Sequence, residues 1–233
     1  MRRLGADSRY RRDCGEYVCD GEKLLREALR WGAEIRTVLW STAPSVQLPE
    51  TVRQYSAPAD LLDYVSALSN CPGVLFTVAM PAWPMTEPGR TLVLENVQDP
   101  GNVGTILRTA NALNMDTVIL TGACADRYNP KTVRAAMGAL FRQRVWRMER
   151  EDMRAYLRNH GIRLLGAALT DKAADLRSLD LTDCAVVIGS EGQGLSEEML
   201  AMCDGELIIP MNSACESLNA GVAAAIIMWE LSK

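Results

Sequence analysis

Three polar loops lie between apolar runs of this chain, and they carry the side chains best equipped for chemistry. In "DPGNVGTILRTA" the turn signature Asp99-Pro100-Gly101 leads into Asn102, and Arg108 follows about one and a half helical turns later. Two readings stand side by side: a strand-to-helix turn with Asn102 as N-cap and a solvated arginine, or part of a site. In "IGSEGQGLSEEM" Gly189, Gly192 and Gly194 allow close backbone approach to a ligand. The spacing meets neither the dinucleotide fingerprint nor the phosphate loop, which needs a following Gly-Lys-Ser/Thr. Glu191 falls at a strand exit, and Ser196 ahead of two glutamates reads as a helix cap. In "IIPMNSACESLNAGVAAAIIMWE" the segment from Asn212 to Asn219 joins an apolar run to an apolar helix. Ser217 or Asn219 would cap that helix, which leaves Asn212, Ser213 and Glu216 without a reason. Polar groups buried without partners cost about 1 to 3 kcal/mol each, so such a loop must pair internally or bind something.

The elements that hold these loops follow from periodicity. "GEKLLREALRWG" has helical spacing closed by Gly32, "IRTVLW" and "GVLFTVAM" read as strands, and "LLDYVSALS" is a further apolar segment. Pro81, Pro84, Pro88 and Gly89 then break every pattern and mark a linker over residues 81–90. Beyond it strands ("TLVLENV", "TVILTG", "RQRVWRM", "IRLLGAAL", "CAVVIGS", "GELIIPM") alternate with helices ("VGTILRTANALN", "KTVRAAMGALF"). That alternation predicts an α/β fold with a mostly parallel sheet covered on both faces, in which ligands gather at the carboxyl ends of strands. All three polar loops leave such ends.

Composition narrows the class. With 233 residues the chain can bury a large core, and a net charge of −4 argues against a globally basic nucleic-acid coat while leaving room for local basic patches. The seven cysteines form no C-x-x-C pair and read as reduced, hence cytoplasmic; no targeting or membrane segment is expected. The single histidine, His160, precedes Gly161 at a helix end and reads as a stop signal, which disfavours imidazole-dependent hydrolases; no metal is expected. Arg127, Lys131, Arg134, Arg142, Arg144, Arg147 and Arg150 concentrate in one stretch. Arg147 and Arg150 read as a solvated face, and Arg2, Arg3, Arg9, Arg11 and Arg12 as either an RNA arm or a flexible tail.

The three loops, in this order, resemble the three motifs of the SpoU family of RNA ribose 2'-O-methyltransferases, within the SPOUT superfamily; the matching segments are "DPGNVGTILRTA", "VVIGSEGQGLSEEM" and "LIIPMNSACESLNAGVAAAI". The resemblance implies a catalytic domain over residues 91–233 with a deep trefoil knot. Through "YVCDGEKLLREALRWGAEIRTVLWS" residues 1–80 resemble the smaller substrate-binding domain related to ribosomal protein L30e. Departures occur at Ala135, at Ala220 and Gly221, and at Tyr17 and Asp20. By the same matching, catalytic roles fall on Asn102, Arg108, Glu191, Ser217 and Asn219, and S-adenosyl-L-methionine would be lined by Ala168, Gly189, Ile209 and Leu218. Lys131 and Arg134 match a basic segment expected to contact RNA phosphates. The family's arginine is held to act as the base on the 2'-hydroxyl; because guanidinium stays protonated far above neutral pH, anchoring a phosphate or stabilising an alkoxide is the physically cheaper role for Arg108. The expected partners are RNA, with rRNA favoured over tRNA, and a second copy of the chain in a homodimer. A non-catalytic RNA-binding factor on the same scaffold is the alternative of another class.

Overall fold

The apolar runs form two sheets in a computed structural model that describes residues 1–66, 72–212 and 216–233. Ser213, Cys71 and Cys215 therefore lie outside the described residues, as does the end of "LLDYVSALS". The first elements are α1 (Arg2–Ala6), α2 (Ser8–Cys14), β1 (Glu16–Asp20), α3 (Glu22–Arg30), β2 (Ile35–Trp40), β3 (Arg53–Ser56), α4 (Ala59–Val65) and β4 (Val74–Ala79). There follow β5 (Thr91–Glu95), α5 (Pro100–Ala112), β6 (Thr117–Thr121), α6 (Pro130–Ala136), β7 (Arg144–Arg147), α7 (Arg150–Asn159) and β8 (Arg163–Ala167). The last are β9 (Ala174–Asp175), β10 (Cys184–Ile188), α8 (Glu197–Met202), β11 (Gly205–Ile208) and α9 (Ala220–Leu231). Packing divides the chain into Met1–Ala82 with Asp126–Arg142, and Trp83–Ala125 with Gln143–Lys233. The chain thus leaves its first unit inside the proline-rich stretch and returns to it for one excursion that contains α6.

The first unit holds a mixed sheet of order β1-β4-β2-β3, with β4 antiparallel to both neighbours and β3 parallel to β2. Leu4, Val18, Leu62 and Leu75 close one of its cores. Neither reading of the N-terminal arginines as a group survives for Arg11. It is buried, donates to Asp126 Oδ2 at 2.7 Å and to the Leu4 carbonyl at 2.6 Å, and so ties α2 to the returning segment. Asp7 caps α2 by accepting from the Tyr10 amide, so residues 2–14 are two anchored helices. α6 is capped by Asn129 and ends sooner than its apolar pattern suggests: Met137 and Gly138 both have positive φ, and a 3₁₀ turn, Ala139–Phe141, follows. Gly138 is demanded there twice over, because a Cβ would also press on the Glu27 side chain at 3.2 Å.

The second unit holds an all-parallel sheet of order β7-β6-β5-β10-β8-β11-β9. Its strands are buried along their whole central length, as β-branched runs covered on both faces must be. On one face Val93, Ile119, Ala185 and Val187 pack with Met153 and Leu157 of α7 and Met199 of α8. The alternate residues point the other way, and α9 packs on β10 and α5. The β9 bridge is too short for periodicity to reveal.

Candidate active site

A cavity of about 580 Å³ opens at the carboxyl ends of β8, β10 and β11. Ala168, Gly189, Ile209 and Leu218, the four residues expected to line a cofactor, all line it, as do Glu191 and Ser217. The loop after β10 turns back on itself through paired backbone bonds, Ser190 N–H to Gly194 O at 3.1 Å and Gly194 N–H to Ser190 O at 2.9 Å. Gly189 is required by that turn: a Cβ would overlap the Gly194 carbonyl group.

Asn102 is not the cap of α5. Asp99 takes that role, its Oδ1 accepting from the Asn102 backbone amide at 2.7 Å, and the Asn102 side chain is released for other work. Its Nδ2 donates a close hydrogen bond to Glu191 Oε1, and its Oδ1 accepts from Asn219 Nδ2 at 3.1 Å. Asn219 caps α9, accepting on Oδ1 from the Gly221 and Val222 amides at 2.9 and 3.3 Å. The donor sense is forced along this chain: an Asn219 oxygen held by amides leaves its nitrogen to donate, and a carboxylate at the far end can only accept. One amide therefore joins the three polar loops. Arg108 is exposed on α5, and among the described residues its guanidinium makes no hydrogen bond or ion pair. Ser217 is exposed at the cavity wall.

Lys131 and Arg134 belong to the first unit and do not line this cavity. Lys131 is exposed, and Arg134 pairs with Asp20. Of the two arginines read as a solvated face, Arg147 is exposed as that reading expects, while Arg150 is drawn inward. Arg147 donates to the Gly122 carbonyl at 2.6 Å, and Arg150 donates through Nε at 2.7 Å to Glu95, which is fully buried. Ser196 caps α8 and also donates to Glu95, from its amide at 2.9 Å and its hydroxyl at 2.7 Å. Sequence reasoning passed over Glu95, although a carboxylate ending the apolar run "TLVLE" was the available signal.

The cavity suits S-adenosylmethionine by its chemistry. Its volume falls in the range of small-molecule sites, its walls are largely apolar side chains and loop backbone, and the charged residues among its described lining, Glu191 and Glu216, are both carboxylates, fitting a sulfonium cation.

Comparison with known proteins agrees with this geometry. The SpoU rRNA Methylase family profile matches residues 89–229. The 23S rRNA (guanosine(2553)-2'-O)-methyltransferase RlmP of Bacillus subtilis is 30% identical over 217 residues, 92% of this chain and 88% of its own. The tRNA (guanosine(18)-2'-O)-methyltransferase of Escherichia coli is 31% identical over 148 residues, 63% of this chain and 64% of its own. The crystal structure of the SpoU methyltransferase AviRb from Streptomyces viridochromogenes, in complex with AdoMet, superposes with a TM-score of 0.88 at 27% identity, covering 99% of this chain and 94% of that one.

Proposed function

We propose, because this chain belongs to the SpoU rRNA methylase family and is an S-adenosylmethionine-dependent RNA 2'-O-methyltransferase, that its substrate is ribosomal RNA. The observation that carries the site's role is the Asn219–Asn102–Glu191 bridge, which gathers three loops distant in sequence at the mouth of one cavity. The choice of rRNA rests on extent: similarity to the 23S enzyme runs through both units, whereas similarity to the tRNA enzyme spans 63% of this chain.

In this reading Ala168, Gly189, Ile209 and Leu218 line the cofactor, which when bound supplies an electrophilic sulfonium methyl. Asn102, Glu191 and Asn219 hold the loops at the spacing that aligns a ribose 2'-oxygen with that methyl, and alignment alone can supply much of the rate. Ser217 offers a hydroxyl at the wall. Arg108, with its fork of donors unengaged among the described residues, anchors a phosphate or stabilises the developing 2'-alkoxide. Residues 1–80 are the L30e-like RNA-binding part, and Lys131, on the segment that packs with them, is a phosphate contact; Arg134 joins it with the donors that Asp20 leaves over. The trefoil knot, a homodimer and a cytoplasmic location belong to the same proposal. Supporting the last, the described cysteines are free thiols, as suits a reducing compartment.

The test is transfer of labelled methyl from S-adenosylmethionine to separated rRNA and tRNA pools, with ribose methylation mapped afterwards. Label is expected in rRNA, with a loss of roughly 100-fold or more in Asn102→Ala. Label confined to tRNA would overturn the substrate assignment. Cofactor-independent RNA binding without transfer to either pool would favour the non-catalytic factor.

A further inference from the structure

We propose that Glu95 is a positioning residue, which with Arg150 and Ser196 clasps the base of the Gly189–Leu195 loop shut over the cofactor cavity. The proposal rests on the reading of that cavity as the S-adenosylmethionine site. Glu95 ends β5 and is fully buried, a costly place for a carboxylate unless donors surround it. Three do so: Arg150 Nε at 2.7 Å, the Ser196 hydroxyl at 2.7 Å and the Ser196 amide at 2.9 Å. Arg150 in turn reaches the exposed Glu198 at 3.0 Å, so the group spans the starts of α7 and α8 and the end of β5.

What gives this group a purpose beyond folding is where its donors stand. The loop leaves β10 at Ile188, which pairs with Leu94, and it re-enters the fold at Ser196, which is held by Glu95. Its two stems therefore close on adjacent residues of one strand. Its outer part, Glu191 to Gly194, is exposed, and a Cβ at Gly192 or Gly194 would meet open space. Within the loop only the Ser190–Gly194 pair and a long bond from the Gln193 amide to Ser190 Oγ brace it among the described residues. Beyond these, Glu191 is held by Asn102 and the Leu195 side chain is buried in the core. Segment 94–102 thus holds the loop at its base and at its outer edge. With the clasp broken, the stem at Ser196 keeps only its cap and the packing of Leu195, and the backbone wall of the cavity made by Gly189 to Leu195 loosens with it.

Glu95→Gln separates this role from helix capping, because Ser196 Oγ still accepts from the Met199 amide in that variant. Glutamine keeps one acceptor oxygen where the carboxylate has two, so it must give up either the Arg150 side of the clasp or the bond from the Ser196 amide. Ser196→Ala is the second variant, and Ser196→Thr, which keeps the hydroxyl, is the rescue. Amide hydrogen exchange of the cofactor-free protein and titration calorimetry with S-adenosylmethionine are the readouts, alongside Tm. Glu95→Gln and Ser196→Ala are expected to speed exchange in residues 189–195 and weaken cofactor affinity, each by about tenfold, a change of about 1.4 kcal/mol. Exchange in β5 and β8 should stay as in the parent, Tm should fall by no more than the few degrees that a lost cap or ion pair costs, and Ser196→Thr should restore both loop exchange and affinity. Unchanged loop exchange, or exchange that rises equally across the whole sheet with falling Tm, would overturn the clasp and leave Glu95 a support of the fold. Failure of the unaltered protein to bind S-adenosylmethionine would instead overturn the reading of the cavity, and the exchange rates of the cofactor-free variants would still decide the clasp.

Discussion

At the scale of single residues, the division of labour between Asp99 and Asn102 decides what the first loop can do. A capping asparagine would spend its oxygen on its own helix; here Asp99 accepts from the backbone and Asn102 reaches two other loops. Arg108 shows the opposite economy, a guanidinium exposed without a described acceptor. Arg108→Lys keeps the charge and loses the planar fork. Methyl transfer should fall about 100-fold while RNA affinity, measured by filter binding, stays within about threefold; transfer that also stays within about threefold would reduce Arg108 to a point-charge anchor. The thiols yield a second residue-scale expectation. Burial pushes the Cys203 thiol up to about 12 and raises Cys19, Cys124 and Cys184 as well, while Cys14 is exposed. Alkylation proceeds through the thiolate, so at pH 8 these four stay protonated in the folded protein. Peptide mapping after brief iodoacetamide treatment should find Cys14 labelled ahead of all four, and early labelling of Cys203 would contradict its burial.

At the scale of elements, the site is made by strand ends and by the helices that start just beyond them. The loops after β5, β10 and β11 were legible from the strand–helix alternation, since apolar periodicity reports directly which residues turn inward. The caps were less so. Ser196 and Asn219 do cap α8 and α9, but their second bonds, to Glu95 and Asn102, join residues 101 and 117 positions apart and leave no periodic trace. The early end of α6 has a similar cause, a close approach to Glu27 that asks for glycine at 138. Gly189 offers the sharpest test at this scale. Gly189→Ala places a methyl group where the Gly194 carbonyl lies, so the loop must refold away from its paired bonds. Cofactor affinity should drop by about tenfold or more, with the loss of overpacked sites, about 1 to 3 kcal/mol, as the guide. Calorimetry showing parental affinity would mean that the loop relaxes freely and does not define the cavity.

At the scale of the whole molecule, the chain has two packed units, and α9 of the second shows an exposed apolar face. Val222 and Trp229 are 49% and 58% exposed on a helix that packs through its opposite side on α5 and β10. A tryptophan so placed fits the proposed homodimer, because large exposed apolar groups are drawn to interfaces. Trp229→Glu should shift the protein to half its parental mass in light scattering at micromolar concentration, with an unchanged Tm for the remaining monomer; a parent that is itself monomeric would remove the dimer from the proposal.

The sequence by itself determined the local things: which runs are strands and helices, where polar loops interrupt them, and that three such loops carry the residues of one family in order. Side-chain type and short-range periodicity suffice for that, because each element's burial pattern is written within its own ten or so residues. Only the tertiary structure decided which groups meet. It made Asn102 a bridge and left capping to Asp99, sank Arg11 and Arg150 into ion pairs, returned Asp126–Arg142 to the first unit and set Glu95 against Ser196. Those outcomes depend on contacts between distant segments, where periodicity names the buried face of an element and says nothing of what will lie against it.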